Sequence, residues 1–478
     1  MRTQEVPNRT KLLYGIGAFG YGSVGQTTSS FLMFFGTGVL GIPGTLMGIA
    51  VGIGTMWDAT TDPFVGHWSD KTRGRLGKRH GWILFACIAV AITNLMVWSI
   101  SPAWPLIVKF FMLTLLLLVL ETFNTCYSTP YSALGLDLSY NYDDRTAVQN
   151  YKTAFNFLSL LVPSFLMTVF LSPTRYASMA QSNRGYIEIA VVTGILCIVC
   201  GIICFVGTFK YRQRDVTSSS ATNALVVDSN HYRMSSSLYQ KSKKEISSIF
   251  GDFFSILKEP NVGRLIAGYA VSLSAGAFLT SLGLHVFTYT FGFSTMQIPI
   301  IMVCLISGII FGQPIWYMVS RRTDKTTALV YSLATLIVTM VVFGIILTFR
   351  TSISSNIALV FVSMTIFASG IGTGCLYSLP ISMFADCISR INRLSGTDKT
   401  GKSAGFLTFC TKISNAVIMF AIGLSLDLIG FRGGDTVQTV STQNWLGWLL
   451  IAGVMTTAFI AILIYGKYSY TKKDFIST

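Results

Sequence analysis

The chain has 478 residues, of which 51% are hydrophobic and 12% charged, with a formal net charge of +15. A typical soluble domain carries about 25% charged residues, so this balance excludes a soluble globular protein and describes a chain that crosses a membrane many times. Its basic residues stand in short blocks between apolar runs rather than along one polar face, which argues against nucleic acid as the partner of the positive charge.

Apolar runs of about 20 residues, the length that crosses a bilayer core as helix, recur from end to end. They predict spans at 12–40, 43–68, 82–101, 104–135, 150–172, 186–209, 262–290, 296–319, 327–349, 355–385, 403–430 and 443–466. The expectation is an all-α membrane protein of twelve transmembrane helices. The first run is too long for a signal-peptide core and lacks a small-residue cleavage site, so it is expected to be retained. Alternate loops hold the Lys and Arg blocks, among them 71–79, 210–214, 321–325 and 390–402. By the positive-inside rule both termini are expected in the cytoplasm of a cell whose inner or plasma membrane the chain spans, which requires an even number of crossings.

The second span contains "TMWDATTDPF", with Asp58 and Asp62 at i and i+4 on one helical face, about 6 Å apart along the axis. A carboxylate at a helix centre costs about 2.5 to 3.5 kcal/mol on insertion scales, so an intramembrane acid is a functional candidate by default. With the Thr61 hydroxyl the pair forms an oxygen site suited to Na⁺ or Li⁺, or to a shared proton. The competing reading makes both acids ion-pair partners of the basic loop after Asp70.

The fourth span carries "ETFNTCYSTPYSALG", in which Glu121, Thr125, Ser128 and Ser132 form a polar stripe down one helix face. Lipid cannot satisfy such a stripe, so it faces a cavity or a partner helix, and Pro130 frees a carbonyl beside it. Lys152 opens the fifth span and is readable as cavity lining or as a cytoplasmic anchor. Most of the nine cysteines lie in apolar runs, and Cys197, Cys200 and Cys204 lack the neighbours of a metal site; they are expected to pack.

The longest polar interruption, Tyr211 to Pro260, divides the chain into an N-terminal six-helix bundle at 1–210, a cytoplasmic linker at 211–260 and a C-terminal bundle with a short basic tail at 261–478. Within the linker, Ile246, Ile249, Phe250, Phe253 and Leu257 fall on one face of an amphipathic helix expected at the membrane surface. "GHWSDKTRGRLGKRHGW" after the second span echoes "GQPIWYMVSRRTDKTTALV" after the eighth. The echo suggests duplicated six-helix units, the major facilitator architecture, with a substrate site between the halves near the midplane. In the eleventh span, Lys412 lies too deep to snorkel, and a buried ammonium wants a buried carboxylate; Asp58 and Asp62 are the expected partners. His285 in the seventh span is isolated and expected to pack.

"YGIGAFGYG", "MWDATTDPFVGHWSD", "GKRHGW", "TPYSALG", "DDRTAVQNYKTAF", "MFADC" and "TFCTKISNA" together resemble the glycoside-pentoside-hexuronide cation symporter family of the major facilitator superfamily, across nearly the whole chain. The resemblance implies a cation site of Asp58, Thr61, Asp62 and Thr125, where the family more often has Asn in place of Thr61. It implies a substrate site bordered by Tyr21, Gly22, Gln26, Glu121, Asn124, Ser128, Ser132, Lys152, Tyr377, Thr408 and Lys412, with Lys412 serving both sites. Lys152 stands where the family usually has Arg, so a forked donor becomes a point charge. Melibiose-transporting members carry acids at the positions of Gly22 and Ser128 and a tryptophan at Ser132. Unpaired buried sugar hydroxyls would cost about 1 to 3 kcal/mol each, which argues against the same galactoside.

The implied activity is alternating-access symport driven by Na⁺ or H⁺, with a sugar or glycoside as substrate, or a lysophospholipid or other amphiphile as the alternative. No cofactor, no nucleic acid and a monomer in the lipid bilayer are expected. A membrane enzyme would use the acid pair as general acid and base, but the sequence has no paired His motif, nucleophile elbow or large polar domain. A transporter-like receptor would have less need of both aspartates and Lys412.

Overall fold

The structure is a computed structural model that describes residues 6–72, 76–138, 142–171, 182–212, 259–395, 400–435 and 437–470. The linker helix expected around Ile246 to Leu257 lies outside them. Among the described residues fourteen α-helices make twelve crossings, and there is no strand. In a bilayer the backbone must satisfy its own hydrogen bonds, so helices are the form these apolar runs adopt.

The N-terminal six crossings are α1 (Asn8–Phe34), α2 (Gly44–Lys71), α3 (His80–Trp98), α4 (Leu106–Asp137), the pair α5 (Tyr142–Ser159) and α6 (Val162–Phe170), and α7 (Asn183–Thr208). The C-terminal six are α8 (Pro260–His285), α9 (Ile298–Arg322), α10 (Lys325–Thr348), the pair α11 (Ser355–Gly374) and α12 (Leu379–Ser395), α13 (Thr400–Leu428) and α14 (Val440–Gly466). Ten of the crossings are long and apolar enough to span a membrane by composition. The other two, α1 and α2, have 27 and 28 residues but are diluted by Gly, Ser and Thr, and α2 by its acids.

Packing repeats between the halves. α1 packs on α5 and α7, α2 on α4, and α3 on α4 and α7; correspondingly α8 packs on α13 and α14, α9 on α11, and α10 on α11 and α14. Local irregularities repeat as well. α1 and α8 each end in a five-residue π turn, Phe35–Val39 and Val286–Thr290, followed by a glycine at φ +66°, Gly41 and Gly292. Pro63 in α2 is matched by Pro314 in α9. The molecule is thus an all-α membrane protein built from two six-helix pseudo-repeats.

Two crossings predicted as continuous are broken. The fifth bends at Leu160–Leu161, because Pro163 has no amide hydrogen to continue the helix and restricts the residue before it. The tenth passes through a 3₁₀ turn at Cys375–Tyr377 ahead of Pro380. α5 also starts eight residues before the expected 150, since its first turns are polar and give no hydropathy signal; Asp144 there is buried and accepts from the Lys11 ammonium at 2.6 Å and the Val6 amide at 2.9 Å.

The halves meet along α2 and α13, α1 and α8, and α6 and α9. α2 runs antiparallel to α13 with Gly44, Gly48 and Gly52 in its seam, one per turn. A Cβ on Gly48 would lie 2.7 Å from the Met419 carbonyl oxygen, and one on Gly423 would lie 2.0 Å from that of Gly44. Side chains there would force the backbones apart. Twelve crossings leave Val6 and Tyr470, the first and last described residues, on one face of the molecule, the face bearing the chain ends; the opposite one is the far face.

Candidate functional site

Past Gly52 the α2–α13 seam reaches its charged residues. The Lys412 ammonium on α13 lies 2.7 Å from Asp58 Oδ2 and 2.6 Å from Asp62 Oδ2 on α2, joining the two halves. Successive turns of α2 present both carboxylates to one point, as their four-residue spacing requires. Thr125 of α4 donates to Asp58 Oδ1 at 2.7 Å, and Thr61 donates to the Asp58 carbonyl at 3.2 Å and stands 3.5 Å from the Thr125 hydroxyl. Pro63 leaves the Ala59 carbonyl without its helical amide partner, one more oxygen beside the acids. The side chains of Lys412, Asp58 and Asp62 keep 20%, 23% and 32% of their surface accessible, so a cation can reach them.

Glu121, one turn up α4 toward the far face, accepts from Asn124 Nδ2 at 3.3 Å and stands within electrostatic reach of Asp58, Asp62 and Lys412. The Asn124 side-chain carbonyl is buried with no hydrogen-bond partner. The centre therefore gathers three acids around one ammonium. On the other side, toward the chain ends, Lys152 donates to Ser132 Oγ at 2.9 Å and lies 5.6 Å from the Tyr131 ring, with Ser128 half-buried on the same stripe.

Tyr21 packs its ring on Tyr127 and Tyr131. Gly22 does not provide the room for a ligand that its size implies. A Cβ there would lie 2.7 Å from Ser159 Oγ, so Gly22 is a packing residue of the α1–α5 seam. The open position on this helix is Gly25, around which nothing lies within 4 Å, next to half-buried Gln26. Sequence reading also missed Thr129, which turns a hydroxyl toward Asp62, and Thr122, which accepts from Trp57 Nε1 at 2.8 Å. Both lie in the fourth-span segment already singled out, but off its stripe.

In the C-terminal half, Thr408 and Thr411, a turn or less from Lys412, edge an apolar groove of about 270 Å³ lined further by Tyr269, Ile381, Phe384 and Leu407. Tyr377, at the α11–α12 break, is 45% exposed, and its hydroxyl faces Gly276. Among the described residues no group of three or more His, Cys, Asp or Glu forms a metal cluster, and the nine cysteines are unpaired.

The site is closed on one side. At the far face the Asp427 carboxylate of α13 accepts from the Gly44 and Thr45 amides of α2 at 2.6 and 2.7 Å, capping that helix from the other half. His285 Nε2 and Thr37 Oγ1 are 2.8 Å apart, Gly434 N donates to Gly38 O at 3.0 Å, and beside them Phe34 stacks on Tyr289, which meets Phe431 edge to face. The centre is thus shut from the far face.

Known proteins resemble the chain in sequence and in fold. The chain is 23% identical, over 96% of its length and 86% of the relative's, to sodium-dependent lysophosphatidylcholine symporter 1 of Gallus gallus. It is 35% identical over 31% of its length, and 28% of the relative's, to a Synechocystis protein described as an uncharacterized symporter. Its fold superposes with a TM-score of 0.66 on a bacterial homologue of the human lysosomal transporter Spinster, covering 99% of each chain at 13% identity. The family model for MFS/sugar transport proteins matches residues 13–472. The chain belongs to that family of the major facilitator superfamily and is a multi-pass membrane transporter, not an enzyme.

Proposed function

We propose that the protein is a Na⁺-coupled symporter of a phosphate-bearing amphiphile of the lysophospholipid class, working by alternating access, with the face bearing the chain ends in the cytoplasm. The observation that carries the reading is the Lys412 ammonium shared by Asp58 and Asp62 across the two halves. Two carboxylates against one ammonium leave an excess of negative charge for a cation to neutralise. The oxygens of Asp58, Asp62, Thr61 and Thr125 form a hard donor set that favours Na⁺. A cation on the two carboxylates displaces Lys412, whose ammonium then meets the substrate phosphate while the apolar tail lies in the groove beside Thr408. Cation and substrate affinity are thereby linked, and the linkage is reciprocal.

The sodium dependence named for the Gallus gallus relative supports the cation, and its lysophosphatidylcholine supports the substrate class. A glycoside is the second reading, favoured by the Glu121–Asn124 pair with its unbonded amide oxygen and by the Lys152–Ser132 bond, groups suited to sugar hydroxyls. Uptake into proteoliposomes under an inward Na⁺ gradient tests both. Lysophosphatidylcholine uptake that needs the gradient and is lost in Asp58→Asn is the expected result. Gradient-driven uptake of glycosides alone would install the second reading, and uptake indifferent to the gradient in both proteins would overturn the coupling.

A further inference from the structure

The pseudo-repeat that builds the two halves also builds two equivalent corners on the face bearing the chain ends, and they differ in one respect. In the N-terminal half the Arg79 guanidinium spans two acids, with Nε 2.7 Å from Asp137 and Nη2 3.0 Å from Asp70. The space left beside it, next to Tyr211, is about 10 Å³. In the C-terminal half Lys325 stands in the corresponding place, bonded to Asp386 at 2.5 Å and to Ser382 Oγ at 2.8 Å, with Tyr468 and Tyr470 where the other half has Tyr211. A point-charge lysine spans one acid where the forked arginine spans two, and here a cavity of about 370 Å³ remains.

Its walls are fixed. Tyr470 donates to Glu259 Oε1 at 2.6 Å and lies under the Arg390 guanidinium at 4.4 Å, and the Tyr468 hydroxyl meets Cys387 Sγ at 3.1 Å. Two acids line the cavity: Asp386 is held by Lys325, and Asp324 stands at the N-terminal end of α10, where the helix dipole favours a carboxylate. Arg321 is the cation left over; the contact recorded for it is with the Tyr317 ring, 6.0 Å away. Ser320 and Thr323 bring hydroxyls alongside, and both already donate to helix carbonyls, leaving their oxygen lone pairs to accept. Tyr317 is 60% exposed, and Ile310 and Val303, at successive seven-residue steps on the same face of α9, are exposed as well, so the cavity mouth borders lipid.

We infer that this corner is a binding site for the phosphate headgroup of an anionic phospholipid, with Arg321 as its principal cation and the acyl chains running along the Tyr317 face of α9. A guanidinium at an interhelical cavity, beside hydroxyls free to accept, has the chemistry for such a headgroup once Lys325 and Asp386 have neutralised each other. The ligand ties α9 and α10 to α12, the helix after the Cys375–Tyr377 break, and so acts on the substrate half without entering the substrate site. Free phosphate has the same headgroup chemistry, and the test separates the two sources.

The full chain is reconstituted in phosphatidylcholine nanodiscs with and without a minority of phosphatidylglycerol, then released and examined by native mass spectrometry for retained lipid. Retained phosphatidylglycerol should fall about ten-fold in Arg321→Gln, the loss of one charge-assisted contact, and stay unchanged in Arg322→Gln, which removes an equal charge one residue away outside the cavity. Ser320→Phe, which fills the cavity and keeps every charge, should release the lipid as well and covers the case of an unstable Arg321 variant. Equal losses from Arg321→Gln and Arg322→Gln would overturn the site in favour of a general surface charge. Displacement of the lipid by inorganic phosphate alone would overturn the lipid as its ligand. None of these readings depends on transport, so they stand or fall apart from the proposed substrate.

Discussion

A single hydroxyl sets how Asp58 faces the centre of the molecule. Thr125 is 1% exposed and donates a hydrogen bond to Asp58, fixing one carboxylate oxygen and leaving the other for Lys412 or a cation. A hydrogen bond to a charged group contributes about 1.5 to 3 kcal/mol. Thr125→Val should therefore weaken Na⁺ binding by about ten-fold or more, measured by calorimetry, whereas Thr122→Val, whose hydroxyl serves Trp57, should leave it within about two-fold. The pairing of Lys412 with the two aspartates was legible in the sequence because an intramembrane ammonium has few tolerable partners and the i, i+4 acids share a face. Gly22 was not. Its small size marks a close approach without saying of what, and the neighbour is Ser159 of the packing helix rather than a ligand.

The α2–α13 seam works as an element because its glycines bring two backbones into contact and Asp427 caps α2 from the opposite half. A carboxylate at a helix N-terminus contributes about 1 kcal/mol, roughly a five-fold bias in an equilibrium. Asp427→Asn should thus raise the population open at the far face, and Gly48→Leu, which must part α2 from Met419 and Phe420, should raise it further. A cysteine placed at buried Thr37 reports this by its rate of reaction with an impermeant maleimide, read against the same background without that cysteine. An unchanged rate in both variants would show that the seam does not hold the far face shut. The twelve crossings were readable from hydropathy, since apolar length is what a bilayer demands. The breaks at Leu160–Leu161 and Cys375–Tyr377 were not, because a helix interrupted within an apolar run keeps the same composition.

At the scale of the whole molecule, two similar halves close against each other on the far face, and the described ion pairs between them, Lys412 with Asp58 and Asp62, lie at the end of that seam. The sequence echo after the second and eighth spans announced the repeat. The fork of Arg79 and the single bond of Lys325 show why it is imperfect, a difference that no hydropathy profile contains. In the alternating-access cycle proposed above, rocking of the halves would break or remake the Lys412 bridge, so that the occupant of Asp58 and Asp62 would control the motion. Calorimetric titration of Na⁺ into the purified protein and its Lys412→Gln variant tests this most directly. Competition between ammonium and cation predicts that Lys412→Gln binds Na⁺ about ten-fold or more tightly than the unaltered protein. Na⁺ binding that is unchanged, weakened or absent in the folded variant would contradict it.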